Sequence, residues 1–285
     1  MSVSWDDLSD VLVAKQEEET KNNLLLIDGV NLAFRYIQKS NYGNFTDDYI
    51  RTINSLAKSY KAKKVICCFD SGASTYRKIL FSEYKDNRKQ ARTEEEQERY
   101  NKFFDCLTET IDQLPYDHLK FKGVEADDLI AYLAINTKQY EHTWIISSDR
   151  DLVQLLSDNV SIFSTQTRKE KTIKSLYEDT GLTPREYMLT KILEGDTGDN
   201  ISGITGIGTK RASDITKQYK TLSNLLKALP IKSKAQYIQN LNKGEDILLL
   251  NDKLVNLLDY HEDAILASED SNYIFSHLKR IINES

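Results

Sequence analysis

Nine carboxylates stand in short motifs along this 285-residue chain: Asp28, Asp70, Glu125, Asp127, Asp128, Asp149, Asp151, Asp196 and Asp199. Three of them, Asp28, Asp70 and Asp149, close apolar runs of strand length: NLLLID (23–28), KVICCFD (64–70) and TWIISSD (143–149). GVEADDL sets Glu125 and Asp128 three apart on one helical face, with Asp127 beside them. SSDRDLVQLL places Asp151 two residues after Asp149, and EGDTGDN sets Asp196 and Asp199 three apart among glycines. Any one of these could be a turn residue or a helix N-cap. Three strands ending in Asp are harder to dismiss, because ligand sites of open parallel sheets lie beyond the carboxyl ends of the strands. So many carboxylates cannot converge and stay ionised without cations, since like charges raise each other's pKa. Hard divalent ions that prefer oxygen, Mg²⁺ or Mn²⁺ in its place, remove the conflict. Two such ions ~3.5–4 Å apart suit phosphodiester cleavage: one generates hydroxide and both steady the in-line transition state.

Positioning these acids calls for an α/β domain. The three acid-ended runs are continuous apolar stretches, as expected for strands buried on both faces of a parallel sheet. Helical spacing lies between them, in 48–60 (Tyr49, Ile50, Ile53, Leu56, Ala57, Tyr60) and in 124–135 (Val124, Ala126, Leu129, Ile130, Leu133, Ala134). Alternating strands and helices predict a mostly parallel central sheet flanked by helices. The connection 71–115 is too long for a plain crossover. Its part 76–92 holds six Lys/Arg against two acids, and 93–111 reads as a charged helix with a sparse apolar stripe. An insertion that stands off the sheet is expected here, and long insertions are commonly functional. After about residue 184 the strand signals stop and the remainder reads as helices.

A second candidate site is GITGIGTKR (203–211), where Gly203, Gly206 and Gly208 flank Ile204 and Ile207 ahead of Lys210 and Arg211. Glycine permits close backbone approach to a ligand. Amides at a helix N-terminus bind phosphate. The same glycines could simply make a tight interhelical turn. Residues 201–243 carry eight Lys/Arg and one acid, which favours a nucleic-acid backbone.

Composition alone points the other way: 38 Lys and Arg against 44 Asp and Glu give −6. The acids are unevenly spread, however. Taking the nine site acids from −6 leaves the rest of the chain at +3. Three Cys, two adjacent (Cys67, Cys68), make no disulfide framework, and four scattered His without a CxxC pair argue against zinc. No apolar run approaches the ~20 residues of a membrane span. Residues 1–22 form a polar N-terminal segment without an apolar export core. The expectation is a soluble, cytoplasmic protein of a reducing compartment, a monomer, with no membrane partner.

At this point the chain resembles the 5′-nucleases: the flap endonuclease/5′→3′ exonuclease of tailed bacteriophages and the 5′-nuclease domain of bacterial DNA polymerase I. The matching motifs, in family order, are LLIDGVNLAFR (25–35), VICCFD (65–70), EYKDNR (83–88), GVEADDL (123–129), SSDRDLVQLL (147–156), GDTGDN (195–200) and GITGIGTKRA (203–212). With no polymerase domain attached, the stand-alone phage type is the nearer match. The resemblance implies a role for each matched position. Asp28, Asp70, Glu125, Asp127 and Asp128 would surround a first divalent ion. Asp149, Asp151, Asp196 and Asp199 would surround a second. Lys85 would be an electrostatic catalyst near the scissile phosphate, with Arg88 assisting and Tyr84 stacking on a displaced base. Residues 77–115 would form a helical arch that admits a 5′ single strand. Residues 203–211 would be a helix–hairpin–helix element gripping duplex, often around a monovalent cation such as K⁺. Arg35 and Lys191 match basic positions near the DNA backbone. The domains implied are 23–200, an α/β nuclease domain, and 201–285, a helical DNA-binding region. The partner implied is DNA with a 5′ flap or junction, including one begun by an RNA primer, in phage replication within a host cytoplasm. Two positions depart from the pattern: Val30, where a small polar residue or His is common, and Asp86, where an acid could weaken contact with the strand.

Three other readings compete. A PIN-type ribonuclease shares an α/β carboxylate site but lacks the arch and the glycine hairpin. An aspartyl-phosphate phosphotransferase wants DxD after the first strand, whereas this chain has Asp28-Gly29-Val30. A catalytically inactive junction-binding module would leave buried acids unused, at a cost.

Overall fold

A computed structural model describes residues 22–88 and 93–283. The polar segment 1–22 lies outside them, apart from Asn22. In chain order the elements are β1 (Asn23–Asp28), α1 (Gly29–Ala33), α2 (Thr46–Ser59), β2 (Ala62–Phe69), α3 (Thr75–Leu80), α4 (Glu94–Asp112), β3 (Asp117–Lys120), α5 (Ala126–Asn136) and β4 (His142–Ile146). There follow β5 (Val160–Ser164), β6 (Lys169–Lys171), α6 (Ile173–Thr180), α7 (Pro184–Glu194), β7 (Gly195–Asp196) and β8 (Ile201–Ser202). The chain then continues through α8 (Thr209–Tyr219), α9 (Leu222–Ala228), α10 (Gln236–Asn242), α11 (Glu245–Val255), α12 (Leu257–Leu266) and α13 (Ser271–Asn283). Among the described residues no helix is long and apolar enough to cross a membrane.

The main sheet runs β3-β2-β1-β4-β5-β6 and is parallel except at the β6 edge. This is the mostly parallel sheet that the alternating runs predict. Every residue of β1 is buried, which is why the run is apolar without alternation. Successive side chains still point to opposite faces. Leu24 and Leu26 join a core with α5, α12 and α13, while Leu25 and Ile27 join one with α2 and α4.

The insertion 77–115 does not stand wholly off the sheet, contrary to expectation. Thr93 caps α4 through a capping box with Glu96. The second half of the helix buries Phe103, Cys106, Leu107 and Ile111 in the α2 core. Those residues lie at helical three- and four-residue spacing, so one stripe docks while the first half stays exposed. Arg77, at the other foot, is buried as well.

A third core gathers α7 through α11, with Leu189, Ile192 and Leu193 of α7 inside it. The packing division therefore falls before α7, ahead of the 200/201 boundary. The two-residue ladder β7–β8 also interrupts a stretch expected to hold helices alone. Cys67, Cys68 and Cys106 are all buried free thiols, as the absence of a disulfide pattern implies.

Candidate active site

The strand order turns at β1, which pairs with β2 on one side and β4 on the other. A cavity of about 840 Å³ opens beyond the carboxyl ends of these strands. Asp28 ends β1 and caps α1. Its Oδ1 accepts from the Asn31 amide at 3.2 Å and its Oδ2 from Ser147 Oγ at 2.7 Å. Asp70 follows β2 and accepts from the amide of Ala126, the first residue of α5, at 2.8 Å. Asn31 Oδ1 accepts from the Ser148 amide at 2.9 Å and so ties the β1 exit to the β4 exit. Asp149 donates its amide to Ser147 Oγ at 3.0 Å and accepts from the Asp151 amide at 2.8 Å. Asp28, Asp70, Asp127, Asp149, Asp151, Asp196 and Asp199 all line the cavity, with Lys85, Arg88 and Lys191 among them.

The acids divide into two groups by their counter-charges. Five are paired inside the protein. Lys191 bonds Asp196 at 2.7 Å and Asp151 more closely still. Arg88 holds Asp199, and Lys85 holds Glu125 at 2.7 Å. Arg77 holds Asp128 through Nη1 at 2.7 Å and Nη2 at 2.9 Å, and reaches Glu125 at 3.3 Å. Asp28, Asp70, Asp127 and Asp149 take no salt bridge among the described residues.

Their protonation follows. Burial, then the charge of Asp70, pushes Asp28 up to about 7. Burial, then Asp149, Asp28 and Asp70, pushes Asp127 well above the usual carboxylate range. Burial also raises Asp70. Asp151 rises to about 6 through burial, with Lys191 opposing. Burial alone would raise Glu125, but Lys85 and Arg77 outweigh it and hold it low. Asp196 is likewise held low, with Lys191 outweighing burial. Oxygen-only donors that raise one another's pKa and take no salt bridge fit hard divalent ions. Among the described residues no three are drawn into a finished ligand cage.

Three expected roles need correction. Asp128 is fully buried, does not line the cavity, and is bound bidentately by an always-charged guanidinium. It is a counter-ion for Arg77 rather than an ion ligand. Tyr84 is only 2% exposed. Its ring packs in the third core, and its hydroxyl lies 3.0 Å from both Glu125 Oε2 and Asp199 Oδ2. That ring offers no face to a base. Glu125 is also buried and off the cavity, so it acts on the site through Lys85.

The remaining basic positions differ in freedom. Arg35 is exposed beside the Tyr36 ring. Lys191 is committed to two acids. Asp86, the departure in EYKDNR, is paired with Lys78 at 2.9 Å. Lys85 has φ +59, unusual for a non-glycine residue, and its amide donates to the Asp199 carbonyl at 2.9 Å.

The glycine loop joins β8 to α8, and Ile207, Gly208 and Thr209 line the same cavity. A Cβ at Gly203 would sit 2.0 Å from the Glu194 carbonyl oxygen, and Gly206 has φ +87, so both glycines are needed by the fold. A Cβ at Gly208 would meet nothing within 4 Å, so that position leaves open space at the helix N-terminus. Lys210 and Arg211 are exposed. Arg211 donates to the Gly206 carbonyl at 2.6 Å and covers the Tyr237 ring.

Sequence reasoning passes over Arg77, Ser147 and Asn31 as site residues. Arg77 counts only as one basic residue of the insertion. Asn31 and Ser147 sit inside DGVN and SSDRD, where hydroxyl and amide side chains beside acids are the available signal.

Comparison with known proteins agrees with this geometry. The family model "5′-3′ exonuclease, N-terminal resolvase-like domain" matches residues 23–181, and "5′-3′ exonuclease, C-terminal SAM fold" matches 182–270. The chain is 38% identical over 276 residues to the flap endonuclease of Escherichia phage T5, covering 94% of each chain. It is 33% identical over 231 residues to a 5′-3′ exonuclease of Bacillus subtilis, covering 75% of this chain and 76% of the relative. A crystal structure of the phage T5 flap endonuclease, a pseudo-enzyme–product complex with DNA and metal ions, superposes with a TM-score of 0.88 at 36% identity. That match covers 92% of this chain and 100% of the other. On this likeness, which spans both the acid-lined cavity and the glycine loop, the chain belongs to the 5′-3′ exonuclease and flap endonuclease family, the structure-specific 5′-nucleases.

Proposed function

We propose that this chain hydrolyses DNA phosphodiesters at the junction of a 5′ single-stranded flap and duplex, using two divalent ions, Mg²⁺ or Mn²⁺. The observation that carries this reading is the set of four acids, Asp28, Asp70, Asp127 and Asp149, that face one cavity and take no salt bridge among the described residues. Asp28, Asp70 and Asp127 would hold one ion. Asp149, Asp151, Asp196 and Asp199 would hold the other once Lys191 and Arg88 yield. Bound ions would supply a hydroxide nucleophile and offset the charge of the pentavalent phosphate.

The protein's own groups do the rest. Lys85 lines the cavity with its ammonium on Glu125, placed to meet a phosphate oxygen as the strand enters. Arg88 presents a half-exposed guanidinium from Asp199 to the same space. The exposed α4 start and the basic stretch before it would admit the 5′ strand. The α8 N-terminus with Lys210 would hold the duplex backbone, a K⁺ ion adding to the hairpin carbonyls. Flaps begun by an RNA primer would be substrates during phage DNA replication, and the enzyme would work as a monomer in the host cytoplasm.

The test is an end-labelled 5′-flap DNA with Mg²⁺ or with EDTA, beside a single-stranded RNA of equal length. Ion-dependent cuts at the junction, with the RNA spared, are expected. Cleavage of the RNA alone would replace this reading with a ribonuclease, and tight flap binding without cleavage would leave a binding module.

A further inference from the structure

The foot of the arch has little apolar anchorage. Tyr84 is its one buried side chain between 82 and 88, and the turn Asp86–Arg88 buries none. Yet Lys85 and Arg88 must be set accurately against Asp199. Two residues there take the left-handed conformation: Lys85 with φ +59 and Asn200, directly after Asp199, with φ +63. Such conformations persist only where the surroundings hold them.

What holds them is polar and two-sided. Three consecutive carbonyls, those of Thr197, Gly198 and Asp199, are each met from the arch foot. Asn87 Nδ2 donates to Thr197 O at 2.6 Å, Arg88 Nε to Gly198 O at 3.1 Å, and the Lys85 amide to Asp199 O at 2.9 Å. In return Asn200 Nδ2 donates to Glu83 O at 2.9 Å. Two of these donors, Asn87 and Asn200, touch no acid of the site.

We propose that Asn87 and Asn200 are positioning residues, the two sides of a latch that fixes the arch foot to the 197–200 loop and so sets Lys85 and Arg88 against Asp199. This rests on the reading of Lys85 and Asp199 as site residues. Asn suits the Asn200 side of the latch because it tolerates the left-handed conformation while donating across the gap.

The experiment compares Asn87→Ala and Asn200→Gly with the parent and with Lys85→Ala. Glycine keeps the backbone of residue 200 and removes only the amide. Flap affinity is measured in EDTA, single-turnover cleavage with Mn²⁺, and amide exchange at Lys85 without any metal. Each latch variant should slow cleavage roughly five- to tenfold, the equivalent of one net hydrogen bond. Flap affinity should stay within about twofold, and Lys85 amide exchange should rise in both. Parent-like cleavage and exchange in either variant would overturn the latch. So would a fall in flap affinity matching the fall in rate, which would make the asparagines DNA contacts. If Lys85→Ala cleaves normally, the site reading fails, and the exchange data alone then decide whether the latch exists.

Discussion

Lys191 Nζ lies 2.7 Å from Asp196 Oδ2 and bonds Asp151 at the same time, so one side chain neutralises two proposed ion ligands. The Lys191 side chain is only 18% exposed, and the two acids raise its pKa against the opposing effect of burial. A divalent ion at this place must displace it. Lys191→Ala should therefore tighten the weaker of two ion-binding events in titration calorimetry and lower the metal-free melting temperature. Unchanged ion affinity would mean that Asp151 and Asp196 are not where the second ion goes.

Asp128 and Asp149 should part company on substitution. Asp128→Asn strips a bidentate partner from buried Arg77, and breaking such a pair costs about 3–5 kcal/mol. Asp149→Asn removes one of several mutually repelling charges, so stability should hold or rise. Cleavage should show the converse. Asp149→Asn should lose ~10²-fold or more in turnover with flap affinity largely kept, as expected for a direct ion ligand. Folded Asp128→Asn should keep both ion-binding events. Loss of an event in Asp128→Asn, or near-normal cleavage by Asp149→Asn, would reverse these assignments.

The raised acids make ion-dependent stability a function of pH. Asp28 titrates at about 7 and Asp151 at about 6 in the folded chain, both above their unfolded value. Below the unfolded value, ~4, both states hold the proton and nothing is lost. As pH rises through the window, the unfolded chain ionises first, so these groups destabilise the metal-free protein progressively until about pH 7. Divalent ions bind the ionised form and offset that loss. The gap between melting temperatures in Mn²⁺ and in EDTA should widen from about pH 5 to about pH 8. A gap that stays constant would remove these acids from the ion site.

Much of the site is legible in the amino-acid sequence. Asp28 and Asp70 end or follow apolar strands, and a parallel sheet must then deliver them to one rim. The edge strands are not legible. Lys169–Lys171 is a Lys-Glu-Lys triplet, and Asp117–Lys120 buries only Leu119, so neither carries an apolar pattern. Their strand character comes from the ladder with a neighbour. The division of the nine acids is equally hidden. Spacing shows that Glu125 and Asp128 share a helical face, but not that Arg77, some fifty residues earlier, meets both. Tyr84 shows the same limit. Its place in EYKDNR suggests a stacking ring, whereas burial depends on residues of α7 through α11 that pack around it.

The glycine loop carries the last prediction, and the two basic residues in it should not contribute equally. Each phosphate neutralised by a side chain adds about 0.9 to the salt slope of binding. Lys210 is exposed, whereas Arg211 is already committed to the Gly206 carbonyl and the Tyr237 ring. Lys210→Ala should therefore flatten the slope of log affinity against log salt by about one for duplex in EDTA. Arg211→Ala should change the slope less but reduce affinity at every salt concentration, because it loosens the turn that presents the α8 N-terminus. Equal slope changes in the two variants would show that Arg211 leaves Gly206 to meet a phosphate. No change in either would take the glycine loop out of the duplex contact.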